Sequence, residues 1–267
     1  MSNTAIRIVP LGTGGFIPTP VRETAAVLVR RAETALLFDA GTGVARLLDP
    51  KFRAELDGVE KLNVLLSHYH LDHVIGLTWM AKLWDRELQL FVPSEPLVET
   101  TAERALERLT DAPLFALPLH KFPFPTRVFP LVTEEPITVG NFTIRVMRQR
   151  HSGGSIGFRV EDRFAYITDT DPDENHVSFL RGVQVAFMDA MYDSDDYKAA
   201  ANQPGHKADH GSHLGVSSIA KQSGVSRLGL IHINPSYSES RCQAMIAESV
   251  RIFPSTFVPD EGSPIII

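Results

Sequence analysis

The chain has 267 residues, a formal net charge of −6, 43% hydrophobic residues and 22% charged residues. That is the balance of a packed globular protein, and it argues against a broad nucleic-acid-binding or membrane-binding face. A single cysteine, Cys242, excludes an intrachain disulfide framework and fits a reducing cytoplasm.

The N-terminal stretch MSNTAIRIVPLGTGG has no basic segment followed by an apolar one, so no export signal is expected. No apolar run approaches the roughly 20 residues of a membrane helix. AIRIVPLG reads as a strand, followed by a flexible turn at Gly12, Gly14 and Gly15; AAVLVR and ALLFDAG read as the next two strands. LNVLLSH is a continuous apolar run, as expected of a strand covered on both faces. DHVIGLTWMAKLWD takes helical spacing, with Asp72 placed to cap its start and Trp79 and Trp84 as core residues. LQLFVP is a further strand. In SEPLVETTAERALERL, Val98, Ala102, Ala105 and Leu109 share one helical face.

Pro113 to Pro136 reads as a long loop with short edge strands. ITVGNFTIRVM reads as a hairpin turning at Gly140-Asn141, and SIGFRVEDRFAYITD as a second turning near Glu161-Asp162. VQVAFMDA and RLGLIHI are buried strands. Between them Val216, Ile219, Ala220 and Ser223 mark a helix that stops at Gly224, and the acidic run DSDDY reads as a solvated loop. Strands and helices mix throughout without a repeat, a low-complexity linker or a break. The expectation is an α/β protein of one domain, residues 1–267.

VLLSHYHLDHVIGL places His68, His70, Asp72 and His73 within six positions after a buried strand. Neutral imidazoles and carboxylates are good ligands for zinc and similar divalent metals. In a loop leaving a strand, His68 and His70 can point the same way and grip one ion; Asp72 and His73, one turn on, can face a second. A solvated histidine-rich turn is the bland alternative, and it does not account for three histidines in this pattern. Asp169 ends the strand-like FAYITD, His232 lies near the end of RLGLIHI, and His151 follows FTIRVMRQR. Each stands at the downstream end of a strand-like segment, where a sheet rim would collect them.

These segments resemble the metallo-β-lactamase-fold hydrolases, and within them the ribonuclease Z-like and cyclic-phosphodiesterase-like branch. The resemblance covers nearly the whole chain, from LGTGGFIPTPVRETAAVLV and LLFDAGTG through SHYHLDHVIGL, RHSGGSIGFRVE, YITDT and MDAMY to LIHINP. It implies a four-layer αββα sandwich and a dinuclear site. His68, His70 and His151 would hold the first metal, Asp72, His73 and His232 the second, and Asp169 both. Asp39 matches an aspartate that supports the site from behind. The ions would be two divalent metals, zinc first, with manganese or iron as alternatives.

Two such ions lower the pKa of a shared water and neutralise phosphoryl charge. Asp72 is then the expected proton acceptor. The resemblance further implies His210 as proton donor to the leaving group and Asp189 as its acidic partner. The branch usually follows that histidine with Ser-Thr, whereas His210-Gly211-Ser212-His213 stands here, which leaves His213 as an alternative donor and His206 as a weaker neighbour. Arg22, in PTPVRETA, would contact phosphate, and HSGGS would let substrate approach past His151. His120 and His176 read as ordinary surface residues.

The implied activity is hydrolysis of small or cyclic phosphodiesters. The alternatives are a ribonuclease Z-like tRNA 3′-processing endonuclease, a thioester or lactone hydrolase on the same fold, and a metal-bearing regulatory protein with little turnover. A long basic arm, which ribonuclease Z enzymes use to hold tRNA, is not visible: 17 residues separate His151 from Asp169 and 40 separate Asp169 from His210. A small-molecule phosphodiester is therefore the expected partner, tRNA the lesser one, with no membrane and with a homodimer as the assembly common in the branch.

Overall fold

The computed structural model describes residues 5–202 and 209–267. Among them are two seven-stranded sheets. The first has the order β14-β1-β2-β3-β4-β5-β6, from β1 (Arg7–Gly12), β2 (Ala26–Arg31), β3 (Thr34–Phe38), β4 (Lys61–Leu65), β5 (Glu87–Pro93), β6 (Thr126–Leu131) and β14 (Ile265–Ile266). The second has the order β13-β12-β11-β10-β9-β8-β7, from β7 (Ile137–Val139), β8 (Phe142–Gln149), β9 (Ser155–Val160), β10 (Phe164–Ile167), β11 (Val185–Asp189), β12 (Arg227–Ile231) and β13 (Thr256–Phe257). In each sheet four adjacent strands run parallel, β3 to β6 and β10 to β13. Both predicted hairpins form, at β7–β8 and β9–β10.

The alternation of side chains along each strand explains the layering. Val27, Val29, Leu36 and Phe38 meet Ile144, Phe158, Phe164, Tyr166 and Phe187 from the opposite sheet in one apolar seam. The intervening Ala26, Leu28, Ala35 and Leu37 face the other way, onto a cluster with Val74, Met80, Leu83, Ala102 and Leu106. On the far side, Ala165, Ile167, Ala186 and Met188 pack under Leu180, Val216, Ala220 and Met245. Strands buried on both faces read as continuous apolar runs for this reason. The outer layers are α1 (Pro50–Arg53), α2 (Leu71–Val74), α3 (Met80–Leu83) and α4 (Ala102–Thr110) on one sheet. On the other are α5 (Glu174–Leu180), α6 (Ser194–Ala201), α7 (His213–Ser223) and α8 (Glu239–Ile252). The four-layer αββα sandwich is therefore observed. Among the described residues no helix is long and apolar enough to cross a membrane.

Several local expectations are corrected. Residues 71–84 are not one helix: α2 and α3 flank a 3₁₀ stretch at Ile75–Trp79. The Gly76 amide donates to Ala40 O at 2.7 Å, outside the helical ladder, and a side chain at 76 would strike the Gly41 carbonyl. Asp72 caps nothing; the N-cap position is His70. In α4 the buried positions are Ala102, Leu106 and Thr110, because the helix starts only after Thr101 and leaves Val98 in the preceding turn. The run DSDDY is not a loop: Asp193 caps α6, and Asp193 and Asp196 hold Arg241 of α8. α7 and its left-handed Gly224 stand as expected.

Candidate metal centre

Because β3, β4, β10, β11 and β12 all run towards one rim, the residues that follow them converge. Asp39 follows β3, Ser67-His68 lies just past β4, Asp169 follows β10, Asp189 ends β11 and His232 follows β12. Three of these residues, Asp39 (φ 56°), Asp169 (φ 52°) and His232 (φ 56°), hold left-handed backbone. Non-glycine residues in that region mark sites where the surroundings impose the conformation. Gly15 has no side chain for a steric reason: a Cβ there would lie 2.7 Å from the His232 ring.

All seven predicted ligands come together: His68, His70, His151 and Asp169 form one group, Asp72, His73 and His232 a second, and Asp169, Asp189, His210 and His232 a third, while Asp169 also reaches the second group through Oδ2. On one side His70 Nδ1 and His151 Nε2 are 3.0 Å apart, and Asp169 Oδ1 lies 3.5 Å from His151 Nε2 and 3.7 Å from His68 Nε2. On the other, His73 Nε2 lies 3.0 Å from Asp169 Oδ2, 3.4 Å from Asp72 Oδ2 and 3.4 Å from His232 Nε2. His232 Nε2 is 3.4 Å from both Asp72 Oδ2 and Asp169 Oδ2. Tetrahedral donors around zinc, bound at about 2.0–2.1 Å, stand about 3.3–3.4 Å from one another. The second set meets that spacing closely and the first brackets it. Each Asp169 oxygen faces a different set.

The imidazoles are preset to present lone pairs. His73 Nδ1 donates to Asp39 Oδ2 at 2.7 Å, which leaves Nε2 for the cluster. Asp39 is fully buried, and it also accepts from Ser67 N at 2.7 Å, Ser67 Oγ at 2.8 Å and the Tyr166 hydroxyl at 2.9 Å. Since the Ser67 hydroxyl donates to Asp39, its oxygen accepts from His68 Nδ1 at 3.0 Å. His151 Nδ1 donates to Asp209 O at 3.1 Å. Among the described residues His68 Nε2 is buried without a hydrogen-bond partner, and so is His232 Nδ1, which lies 3.3 Å from Asp189 Oδ2 but off the line of a hydrogen bond. The orphaned His68 Nε2 faces the first set, where an unmet nitrogen is costly and is explained by a missing partner; His232 Nδ1 is turned to Asp189, and it is Nε2 that faces the second set. The group therefore fits a divalent ion in each set.

The electrostatics agree. Burial pulls the pKa values of His68, His70 and His151 down, so these imidazoles are neutral and free to ligate. Burial opposes charge on His73 and His232 as well, but Asp169, with Asp39 beside the first and Asp189 beside the second, outweighs it. His73 rises well above its ordinary value and His232 is lifted to about 10. The carboxylates draw positive charge into the cluster, which protons satisfy here and a divalent cation would satisfy better.

Next to the cluster stands His210, whose Nδ1 donates to Asp189 Oδ2 at 3.0 Å and whose ring stacks on His232 at 5.1 Å. Burial lowers its pKa, but the charge and hydrogen bond of Asp189 more than offset this and it rises. Asp189 is fully occupied: it also accepts from the amides of Asp169, Met191 and Gly211. His213 is no alternative, being buried on α7 with Nε2 on Glu248 at 2.9 Å. His206 lies outside the described residues. His120 is exposed as expected, but His176 is not a surface residue: it is buried, forms a capping box with Asp173 and meets Gln149 at 3.3 Å. Arg22 does not face the centre; it pairs with Glu239 of α8 at 3.2 Å. HSGGS forms the β8–β9 turn, with Gly154 packed against Val98.

Sequence reasoning missed the support of the Thr13–Phe16 loop. Buried Glu261 accepts from Thr13 N, Thr13 Oγ1, Glu23 N and Arg46, and so pins that loop. The loop in turn donates Phe16 N–H to Asp72 Oδ2 at 2.8 Å and bonds through Gly15 N to Ile233 O, beside His232. Nothing near Glu261 in the sequence announces a partner 248 positions away. Tyr166 carried a faint signal, a hydroxyl on an otherwise apolar buried strand.

Residues 34–233 match the family described as the beta-lactamase superfamily domain. A ribonuclease Z from Metallosphaera sedula is 28% identical over 95% of this chain and 96% of its own. Among solved structures, the metallo-beta-lactamase fold protein YhfI from Bacillus subtilis superposes with a TM-score of 0.76 at 19% identity, covering 98% of this chain and 99% of that one. A diphosphatase of the PhnP family gives 0.69 at 18% identity, covering 97% of each.

Proposed function

This chain belongs to the beta-lactamase superfamily domain family, and from that premise we propose that this metal-dependent hydrolase cleaves phosphodiester bonds in small or cyclic substrates at a dinuclear centre. His68, His70 and His151 would hold one divalent ion and Asp72, His73 and His232 the other, with Asp169 shared. Such ions supply an activated water and neutralise charge on the phosphoryl group. Zinc suits the donors first, with manganese or iron as alternatives.

The remaining work falls to the chain. Asp72, steadied by the Phe16 amide, orients the water and takes its proton. Asp189 occupies Nδ1 of His210, so Nε2 is the nitrogen left to protonate the departing oxygen. The reading is carried by one observation: two ligand sets joined through the two oxygens of Asp169, beside a histidine–carboxylate pair.

A second reading, ribonuclease Z-like processing of precursor tRNA, is favoured by the near-full-length similarity to the Metallosphaera sedula protein. Two observations weigh against it. That alignment spans 292 positions, of which this chain supplies about 254 (95% of 267), so about 38 positions of the relative have no counterpart here. A chain of net charge −6 also lacks the cationic excess that supplies most affinity for a large polyanion.

The protein reconstituted with zinc or manganese should hydrolyse bis(p-nitrophenyl) phosphate faster than thioester, lactone or β-lactam reporters. It should leave precursor tRNA largely uncut at near-physiological salt. Faster cleavage of tRNA than of small diesters would favour the second reading, and a clear preference for thioester or lactone would overturn both.

A further inference from the structure

Beside the ligand sets opens a cleft of about 300 Å³ whose lining includes Asp72, Asp169 and His210 together with Phe16, Tyr192 and Asn234. That volume is at the low end for small-molecule sites, enough for a phosphoryl group and one ring system. An exposed phenylalanine alone means little, but three observations set Phe16 apart. The residue is 71% exposed although it lines the cleft, so the fold gains little by burying it. Its backbone is left-handed at φ 66°, a rare conformation for a bulky residue, and its amide is tied to Asp72, a proposed ligand. Ile17, which follows it, and Leu71, next to Asp72, are also exposed, at 51% and 66%.

Polar groups complete the lining. Asn234 uses Oδ1 to accept from Ser236 N at 2.9 Å, while its Nδ2 bonds no other described residue. The Tyr192 hydroxyl likewise bonds none, although the ring sits edge-on to His210 at 6.1 Å. An aromatic face, with an amide donor and a hydroxyl that no other described residue engages, forms a recognition set for a flat ring with polar edges beside the proposed phosphoryl site.

We propose that one ester group of the substrate carries an aromatic or heteroaromatic ring, such as a nucleobase, which stacks on Phe16 in the metal cleft. This rests on the phosphodiesterase reading above and narrows its substrate class. Stacking of a base on an aromatic side chain is worth about 1–3 kcal/mol, which corresponds to roughly 5- to 150-fold in affinity.

The test is competitive inhibition of diester hydrolysis by three monoesters with one phosphoryl group: phenyl, cyclohexyl and methyl phosphate. Phenyl phosphate should inhibit the metal-loaded protein at least about 5-fold more tightly than either other ester. Phe16→Ala should erase that difference, Phe16→Tyr should keep it, and both variants should melt with the parent because the ring is exposed. Equal inhibition by phenyl and cyclohexyl phosphate, or a preference that survives Phe16→Ala, would overturn the ring proposal and leave the phosphodiesterase reading standing. Absence of any diester hydrolysis or phosphate binding would overturn both.

Discussion

Asp39→Asn should weaken metal binding while the fold survives. The carboxylate accepts four hydrogen bonds in a fully buried setting: Oδ1 from Ser67 N, and Oδ2 from His73 Nδ1, Ser67 Oγ and Tyr166. Asparagine offers one oxygen and one NH₂. With the oxygen in the Oδ2 position, the NH₂ meets the Ser67 amide donor to donor; turned over, it meets three donors. At least one buried donor is left unmet in either pose, at about 1–3 kcal/mol. For a chain of this size each kcal/mol lowers Tm by roughly 2–4 °C, so a fall of about 2–12 °C is expected. His73 loses the carboxylate that fixes its tautomer, and removal of such a partner typically costs 10- to 100-fold in metal affinity. Thermal melts of the metal-free protein and competition titration against a zinc-chelating dye measure the two effects separately. A fall in Tm with unchanged zinc affinity would show that Asp39 serves packing alone. No change in either would refute the hydrogen-bond reasoning itself.

Asp169→Ala removes an oxygen from each ligand set, so bound metal, read by elemental analysis, should fall from about two ions per chain and turnover should nearly vanish; two ions retained would remove Asp169 from the shared position. His210→Ala should lower kcat by roughly 100-fold or more for esters with poor leaving groups and much less for nitrophenyl esters, with metal content unchanged; an equal loss for both would assign His210 another role. Burial holds His176 below its ordinary pKa against the opposing pull of Asp173, so the folded state resists its protonation. Its contribution to stability is then present above about pH 6.5 and lost as pH falls from there towards the folded value, at no more than about 1.4 kcal/mol per pH unit. His176→Asn should therefore show a shallower fall in Tm between pH 7 and 5 than the parent, and parallel curves would sink this account.

The strands were legible because burial on both faces turns them into apolar runs between turn residues, and the convergence of the candidate site was legible because four potential donors are packed into six positions. What escaped depends on contacts that no local pattern encodes. α8 buries Cys242, Met245 and Ser249 but little else, so its apolar stripe is too thin to stand out. The break at Gly76 is caused by a bond to Ala40, a partner 36 positions back. Asp72 looked like a helix cap from its place in the sequence, but its carboxylate is taken by the Phe16 amide from another part of the fold. His176 looked like a surface residue because a lone histidine gives no sign of burial: Asp173 is its local capping partner, but Gln149 meets it only after β8 and α5 pack.

The placement of the centre couples it to the seam between the sheets. His68, His70, Asp72 and His73 leave the rim of the first sheet, whereas His151, Asp169 and His232 leave the rim of the second, so each ligand set is closed only when the sheets are packed. Tyr166 makes that dependence specific. Its ring lies in the seam 5.7 Å from Phe38, and its hydroxyl crosses to Asp39, which orients His73. A change in sheet separation would therefore reach His73 through a hydrogen bond rather than through diffuse strain. Close-packed interiors transmit volume changes poorly absorbed elsewhere. The geometry of the proposed ligands is on this account a property of the whole sandwich, and substitutions deep in the seam should alter metal affinity before they unfold the chain.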